Sequence, residues 1–115
     1  MHRYQDLKVW QKSMDLVEKV YSITNQLPSK EQFGLTSQIN RSAVSIPSHI
    51  AEGAGRNSPR EFNQFLGIAS GSLFELETQL IIVKRVGYLS DDSVRSSIEL
   101  IGEIHKMIYG LKRNL

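Results

Sequence analysis

The sequence predicts an all-α chain, folded as an antiparallel up-down-up-down four-helix bundle. Three observations predict it. Apolar residues recur at steps of three and four along nearly the whole chain. Pro28, Gly34, the 53–59 segment and Gly87 cut it into four long stretches. No stretch alternates β-branched with polar residues as a half-buried strand does. Four helices of twenty-odd residues with short loops pack most simply in this topology. At 115 residues the chain is expected to form a single domain, 1–115, whose one core suffices without covalent staples.

The first helix is predicted from about Leu7 to Gln26. Trp10, Met14, Val17, Tyr21 and Thr24 make one row and Leu16, Val20, Ile23 and Leu27 an adjacent one. Two neighbouring rows form the wide stripe of a core-facing helix. Asp6 is the expected N-cap. Pro28 enforces the stop, because a residue before proline is pushed out of the α region.

The second helix is predicted from about Glu31 to Glu52, on Leu35, Ile39, Ala43, Ile46 and Ile50. Pro47 lies inside it, removing a donor and crowding the carbonyl of Ala43. The apolar phase is kept at Ile50, so one continuous helix kinked at about Ala43–Ile46 is expected. Gly53, with Ala54 and Gly55, ends it.

The third helix opens at Ser58-Pro59-Arg60-Glu61, a capping box in which Ser58 accepts from the Glu61 amide and Glu61 reaches back to the Ser58 amide. Phe62, Leu66, Ala69, Leu73, Leu76, Leu80 and Val83 then form an unbroken heptad seam. Gly87 supplies the stop. The fourth helix starts after Ser90 with Asp91 and Asp92 in its first turn. It carries Val94, Ile98, Ile101, Ile104, Ile108 and Leu111, and ends on Lys112 and Arg113, each charge sign favourable at its end.

Composition bounds the function. With no cysteine, disulfides and thiolate metal sites are excluded and a reducing cytoplasmic setting is expected. The start has no apolar signal core, and no uninterrupted apolar run approaches a membrane span, so no membrane partner is expected. The net charge is +2, with eight Lys/Arg against five Asp/Glu in residues 1–60 and six against seven in residues 61–115. A basic front half is compatible with an anionic partner; on charge alone an ordinary solvated surface is the simpler account.

The chemistry-bearing side chains do not assemble into a catalytic motif. His2, His49 and His105 are far apart and lack the Glu-x-x-His spacing of a bundle metal site. His105 sits among apolar residues and reads as a core-edge histidine. No serine has a triad context, and Gly53-Ala54-Gly55 lacks the Lys-Ser/Thr of a phosphate-cradling loop. No enzyme, cofactor or metal is expected. The dense polar segment Ser45–Gly53, with Arg56 and Arg60, could favour an anion at the start of the third helix. Alternatively, Arg56 and Arg60 balance Glu52 and Glu61, with Glu52 holding a loop amide.

The third helix carries more apolar residues than its seam needs. Ile68, Ile82 and Val86 fall on one flank and Phe74 and Ile81 on the other, with Gly67, Ser70, Gly71 and Thr78 nearby. Helix glycines cost roughly 1 kcal/mol each against alanine, so two suggest close helix approach. The flanks imply either a subunit interface or a helix central enough to touch all the others.

Several segments together resemble one bacterial family. They are Tyr4-Gln5-Asp6-Leu7-Lys8-Val9-Trp10-Gln11-Lys12, Phe33-Gly34-Leu35-Thr36-Ser37-Gln38-Ile39 and Ser45-Ile46-Pro47-Ser48-His49-Ile50-Ala51-Glu52-Gly53. Glu61-Phe62, Phe65-Leu66, Ile68-Ala69-Ser70-Gly71-Ser72-Leu73 and Glu75-Leu76-Glu77-Thr78-Gln79-Leu80 continue the pattern. It is similar to the four helix bundle proteins often encoded in intervening sequences of 23S ribosomal RNA genes. The match runs from about Tyr4 to Leu89; His49 stands where the pattern carries Asn. The resemblance implies a four-helix protomer assembling as a ring-like homopentamer. It also implies similarity to the accessory protein of diversity-generating retroelements, a basic pentameric barrel that binds nucleic acid and a reverse transcriptase. It implies no catalytic activity.

The expectation is therefore a homo-oligomeric scaffold binding nucleic acid, RNA above all, through Lys8, Lys12, Lys19, Lys30, Arg41, Arg56 and Arg60. The oligomer contact is expected at Ile68, Phe74, Ile81, Ile82 and Val86. The competing expectation is a protein-interaction module that binds no nucleic acid.

Overall fold

A computed structural model describes residues 3–115; His2 lies outside the described residues. Four helices form the bundle: α1 (Lys8–Thr24), α2 (Leu35–Ala54), α3 (Pro59–Arg85) and α4 (Asp91–Arg113). Short 3₁₀ turns at Tyr4–Asp6 and Ser29–Glu31 precede α1 and α2. Each helix packs on its sequence neighbours, α1 also on α4, and the backbones of neither diagonal pair approach closely. That is the up-down-up-down square. α3 occupies one corner of that square and its flank residues are exposed, so a central position does not explain its extra apolar residues. The molecule measures 43 × 24 × 20 Å, close to the length of α3 alone at about 1.5 Å per residue.

The α3 seam is buried as predicted, with Phe62, Leu66, Ala69, Leu73, Leu76, Leu80 and Val83 all in the core. Ile39, Ala43, Ile46 and Ile50 of α2 and Val94, Ile101, Ile104 and Ile108 of α4 face them. In α1 the core row is Val9, Ser13, Leu16, Val20 and Ile23. Trp10 and Val17 are only half-buried, and Met14 and Tyr21 are exposed. Leu16, Val20, Ile23 and Thr24 are thus buried as the two rows predicted; the pattern missed Val9 and the residue that reads as polar, Ser13. Its hydroxyl is buried by donating to the Val9 carbonyl at 2.7 Å.

The helix ends correct three further expectations. Asp6 does not cap α1; it lies in the first 3₁₀ turn and pairs with Arg3 at 3.3 Å, while Leu7 occupies the cap position. α2 starts at Leu35 rather than Glu31, because Glu31 itself supplies the cap. Its carboxylate accepts from the Leu35 amide at 3.2 Å. The Ser58 hydroxyl accepts from the Glu61 amide at 3.2 Å as predicted, but the Glu61 carboxylate takes the Ser58 hydroxyl, not its amide. α2 runs through Pro47 as one helix.

α3 ends in a Schellman turn. Gly87 has φ +83, its amide donates to the Lys84 carbonyl, and the Tyr88 amide donates to Val83. The turn aims Tyr88 across the top of the bundle, where its hydroxyl donates to Glu31 at 2.7 Å. That bond, then the Leu35 amide, holds the Glu31 carboxyl below its usual range; the same bond, then burial, pushes the Tyr88 phenol up. One carboxylate thus ties the α1–α2 connection to the α3–α4 loop.

Candidate interaction surfaces

The polar segment Ser45–Gly53 proves to be the seam between α2 and α3. Ser42 donates to Glu75 at 3.1 Å, and Ser45 to Ser72 at 2.6 Å. His49 Nδ1 lies 2.8 Å from the Ser45 carbonyl, and its ring stacks on Phe65 with centroids 6.2 Å apart. At Gly53 a Cβ would sit 2.5 Å from the Phe65 Cβ, so only glycine permits this helix approach. Glu52 does not hold a loop amide; it pairs with Arg56 at 3.0 Å. Arg56 also reaches Glu61 at 3.8 Å and lies 5.0 Å from the Phe65 ring centroid. The balancing account of Arg56 is the one the geometry supports. Ser45 and His49 thus serve the α2–α3 packing, while Ser48 is exposed and donates to the Val44 carbonyl of its own helix at 2.8 Å.

The seven candidate cations of the front half do not form one patch. Lys12 pairs with Glu103 at 3.7 Å, and Lys19 donates to Ser96 at 2.9 Å. Both line a shallow α1–α4 groove together with Asp15, Glu99 and Glu103, a setting unfavourable to a polyanion. Lys30 lies at the opposite end from Arg56 and Arg60, 5.9 Å from the Tyr88 ring centroid. Lys8, Arg41 and Arg60 are exposed and make no ion pair among the described residues.

The candidate oligomer residues are all uncovered. Ile68 is 48% exposed, Phe74 61%, Ile81 37%, Ile82 41% and Val86 57%. By length and composition α3 is apolar enough to cross a bilayer, with mean hydropathy 1.3 over its most apolar stretch, of which only 39% is buried. The expectation that nothing approaches a membrane span thus holds only for uninterrupted runs, since this stretch carries Glu75 and Glu77. The glycines of α3 do not serve packing within the chain. A Cβ at Gly71 would meet nothing, and one at Gly67 only the Lys112 ammonium at 3.7 Å.

A second surface, invisible in the linear pattern, opens between α3 and α4. Phe74 and the 67%-exposed Tyr109 stand in a groove of about 910 Å³ with Asn63, Ser70 and His105. Lys106, Lys112 and Arg113 line it, and no carboxylate does. The Phe74 and His105 rings lie 4.2 Å apart, and Arg113 lies 5.9 Å from the Tyr109 centroid. His105 Nε2 is buried with no hydrogen-bond partner among the described residues. Burial pulls the His105 imidazole below its ordinary pKa against the opposing field of Glu77. Front-half charge bias hid this groove, since its cations belong to the back half; only the antiparallel packing brings them beside Phe74. Among the described residues, no three His, Asp or Glu side chains gather as a metal site.

The geometry is that of a four-helix bundle whose third helix keeps an uncovered apolar face. Residues 5–110 match the model of the 23S rRNA-intervening sequence protein family, and the chain belongs to that family. Among solved structures it is similar to a Bacteroides thetaiotaomicron protein of unknown function from the S23 ribosomal protein family. Identity is 26% and the TM-score 0.84, covering 90% of this chain and 97% of that one. A search of curated proteins gives no match.

Proposed function

We propose that the chain is a non-catalytic scaffold that assembles with copies of itself and binds nucleic acid, RNA above all, through exposed Lys and Arg. The observation that carries the assembly is the uncovered apolar face of α3. Several large apolar side chains exposed along one helix of a small domain mark an interaction site. Ile68 lies one helical turn before the open glycine position Gly71, where another backbone could approach closely. The family resemblance supports a pentamer, five copies of the 13.1 kDa chain, working in the cytoplasm.

The nucleic-acid part rests on the unpaired cations Lys8, Arg41 and Arg60 together with the net charge of +2. One protomer so charged is a weak polyanion binder. A ring repeats each cation around its axis, and affinity rises by multivalency without new contacts. The pairing of Lys12 and Arg56 favours the second reading, a protein-interaction scaffold that binds no nucleic acid.

Light scattering combined with RNA-binding titrations separates the two. The expected result is a pentamer binding RNA at about 50 mM salt, with log affinity falling linearly in log salt by about 0.7 per contacted phosphate on single strands. A pentamer with no binding, or with salt-independent binding, leaves the protein-interaction scaffold as the better account. A 13 kDa species at micromolar concentration removes the assembly itself.

A further inference from the structure

We infer that the α3–α4 groove is a stacking site for unpaired bases of single-stranded nucleic acid, with Phe74 and Tyr109 as platforms and Lys106, Lys112 and Arg113 as phosphate contacts. This rests on the nucleic-acid reading above and relocates its site from the front half of the chain.

The first argument is charge. The groove gathers three cations and no carboxylate, and none of the three makes an ion pair among the described residues. The α1–α4 groove, with its two lysines, is instead lined by three carboxylates. A helix C-terminus favours cations, which accounts for Lys112 and Arg113 but not for Lys106, almost two turns earlier. The second argument is the rings. Phe74 is backed on one side by His105 and 61% exposed, and Tyr109 is 67% exposed beside Arg113. Rings held in place with an open face, next to cations that follow a backbone, are the parts from which sequence-tolerant single-strand sites are built. A groove of about 910 Å³ falls in the range that takes ligands larger than a single small metabolite.

A second copy of the chain suits this groove less well. The buried centres of protein interfaces are depleted of lysine, and here Lys106 and Lys112 border the aromatic floor. The lysine-free face of α3, with Ile68, Ile82 and Val86, lies on the other flank of that helix.

The test uses the full chain and a labelled, unstructured RNA of about 15 nucleotides, read by fluorescence anisotropy at about 50 mM salt, with light scattering on every variant. Tyr109→Ala and Phe74→Ala are each expected to weaken binding about tenfold, within the range for loss of one stacked base, at unchanged oligomer mass. Lys112→Glu with Arg113→Glu should flatten the salt slope. A duplex of the same sequence should bind through phosphates only and ignore Tyr109→Ala. If the unmodified protein binds the strand and both ring variants bind equally well, this inference falls while the nucleic-acid reading stands. If the unmodified protein binds nothing, both fall. If Phe74→Ala or Tyr109→Ala dissociates the assembly, the groove is occupied by a neighbouring copy and the assignment is overturned.

Discussion

At the scale of single residues, the informative positions are those where packing admits one side chain. Gly53 is the sharpest. Its α-hydrogen faces the Phe65 Cβ, and a methyl there would come within 2.5 Å of an atom anchored to backbone. Gly53→Ala is therefore expected to destabilise by about 1–3 kcal/mol through overpacking, although alanine is the better helix former. Urea unfolding measures it, and an unchanged midpoint would contradict the close approach. His105 gives a pH prediction. Its folded-state pKa is lowered by burial, so the unfolded chain takes up the proton first as pH falls. Stability from this residue is full above roughly pH 6.5 and declines as pH drops from there toward the folded value. The lowered carboxylates, Glu31 and Asp91, act only at lower pH; Lys84 and then Arg95 hold Asp91 at about 2. Comparing urea midpoints at pH 7.5 and 5.5 isolates the histidine, and His105→Phe should remove most of its contribution to that difference. The Ser45–Gly53 segment was legible as a dense polar cluster. Its meaning was not, because hydrogen bonds such as Ser45 to Ser72 join residues far apart in sequence.

At the scale of elements, the four helices were legible because each carries its apolar stripe and its own stop. The α3 seam is the clearest case, with all seven predicted positions buried. Where an element was misplaced, a side chain had replaced a rule. Glu31 caps α2 from outside, so the helix starts four residues later than the apolar pattern suggested. Ser13 sits in the α1 stripe because it satisfies its own hydroxyl. Pro47 shows the limit of propensity. It costs roughly 3 kcal/mol in an ordinary helix interior, yet α2 continues through it with the ring buried. Pro47 shares a shallow α1–α2 groove with Trp10, the one tryptophan. Pro47→Ala should therefore raise helicity by circular dichroism while reshaping that groove, shifting Trp10 emission to the red. A fall in helicity would mean that the proline is needed to form α2.

At the scale of the whole molecule, what remained illegible is what the chain leaves uncovered. A hydrophobic pattern shows which residues can be buried, not which of them one chain buries. Helical phase set the α3 flanks apart from the seam but left open whether another helix covers them, and only their exposure shows that nothing within one chain does. The same holds for charge, since an excess counted along residues 1–60 is dispersed over both ends of the bundle once folded. The uncovered flank makes the last prediction. Ile68 and Ile82 are 48% and 41% exposed, so replacing both by aspartate removes little from the core of a lone protomer. In an assembly the same carboxylates would be buried without partners, a severe penalty. Ile68→Asp with Ile82→Asp should therefore keep full helicity by circular dichroism while light scattering falls to the single-chain mass of 13.1 kDa. A double variant that stays assembled would place the contact elsewhere. One that unfolds would show that these side chains are needed by the protomer itself.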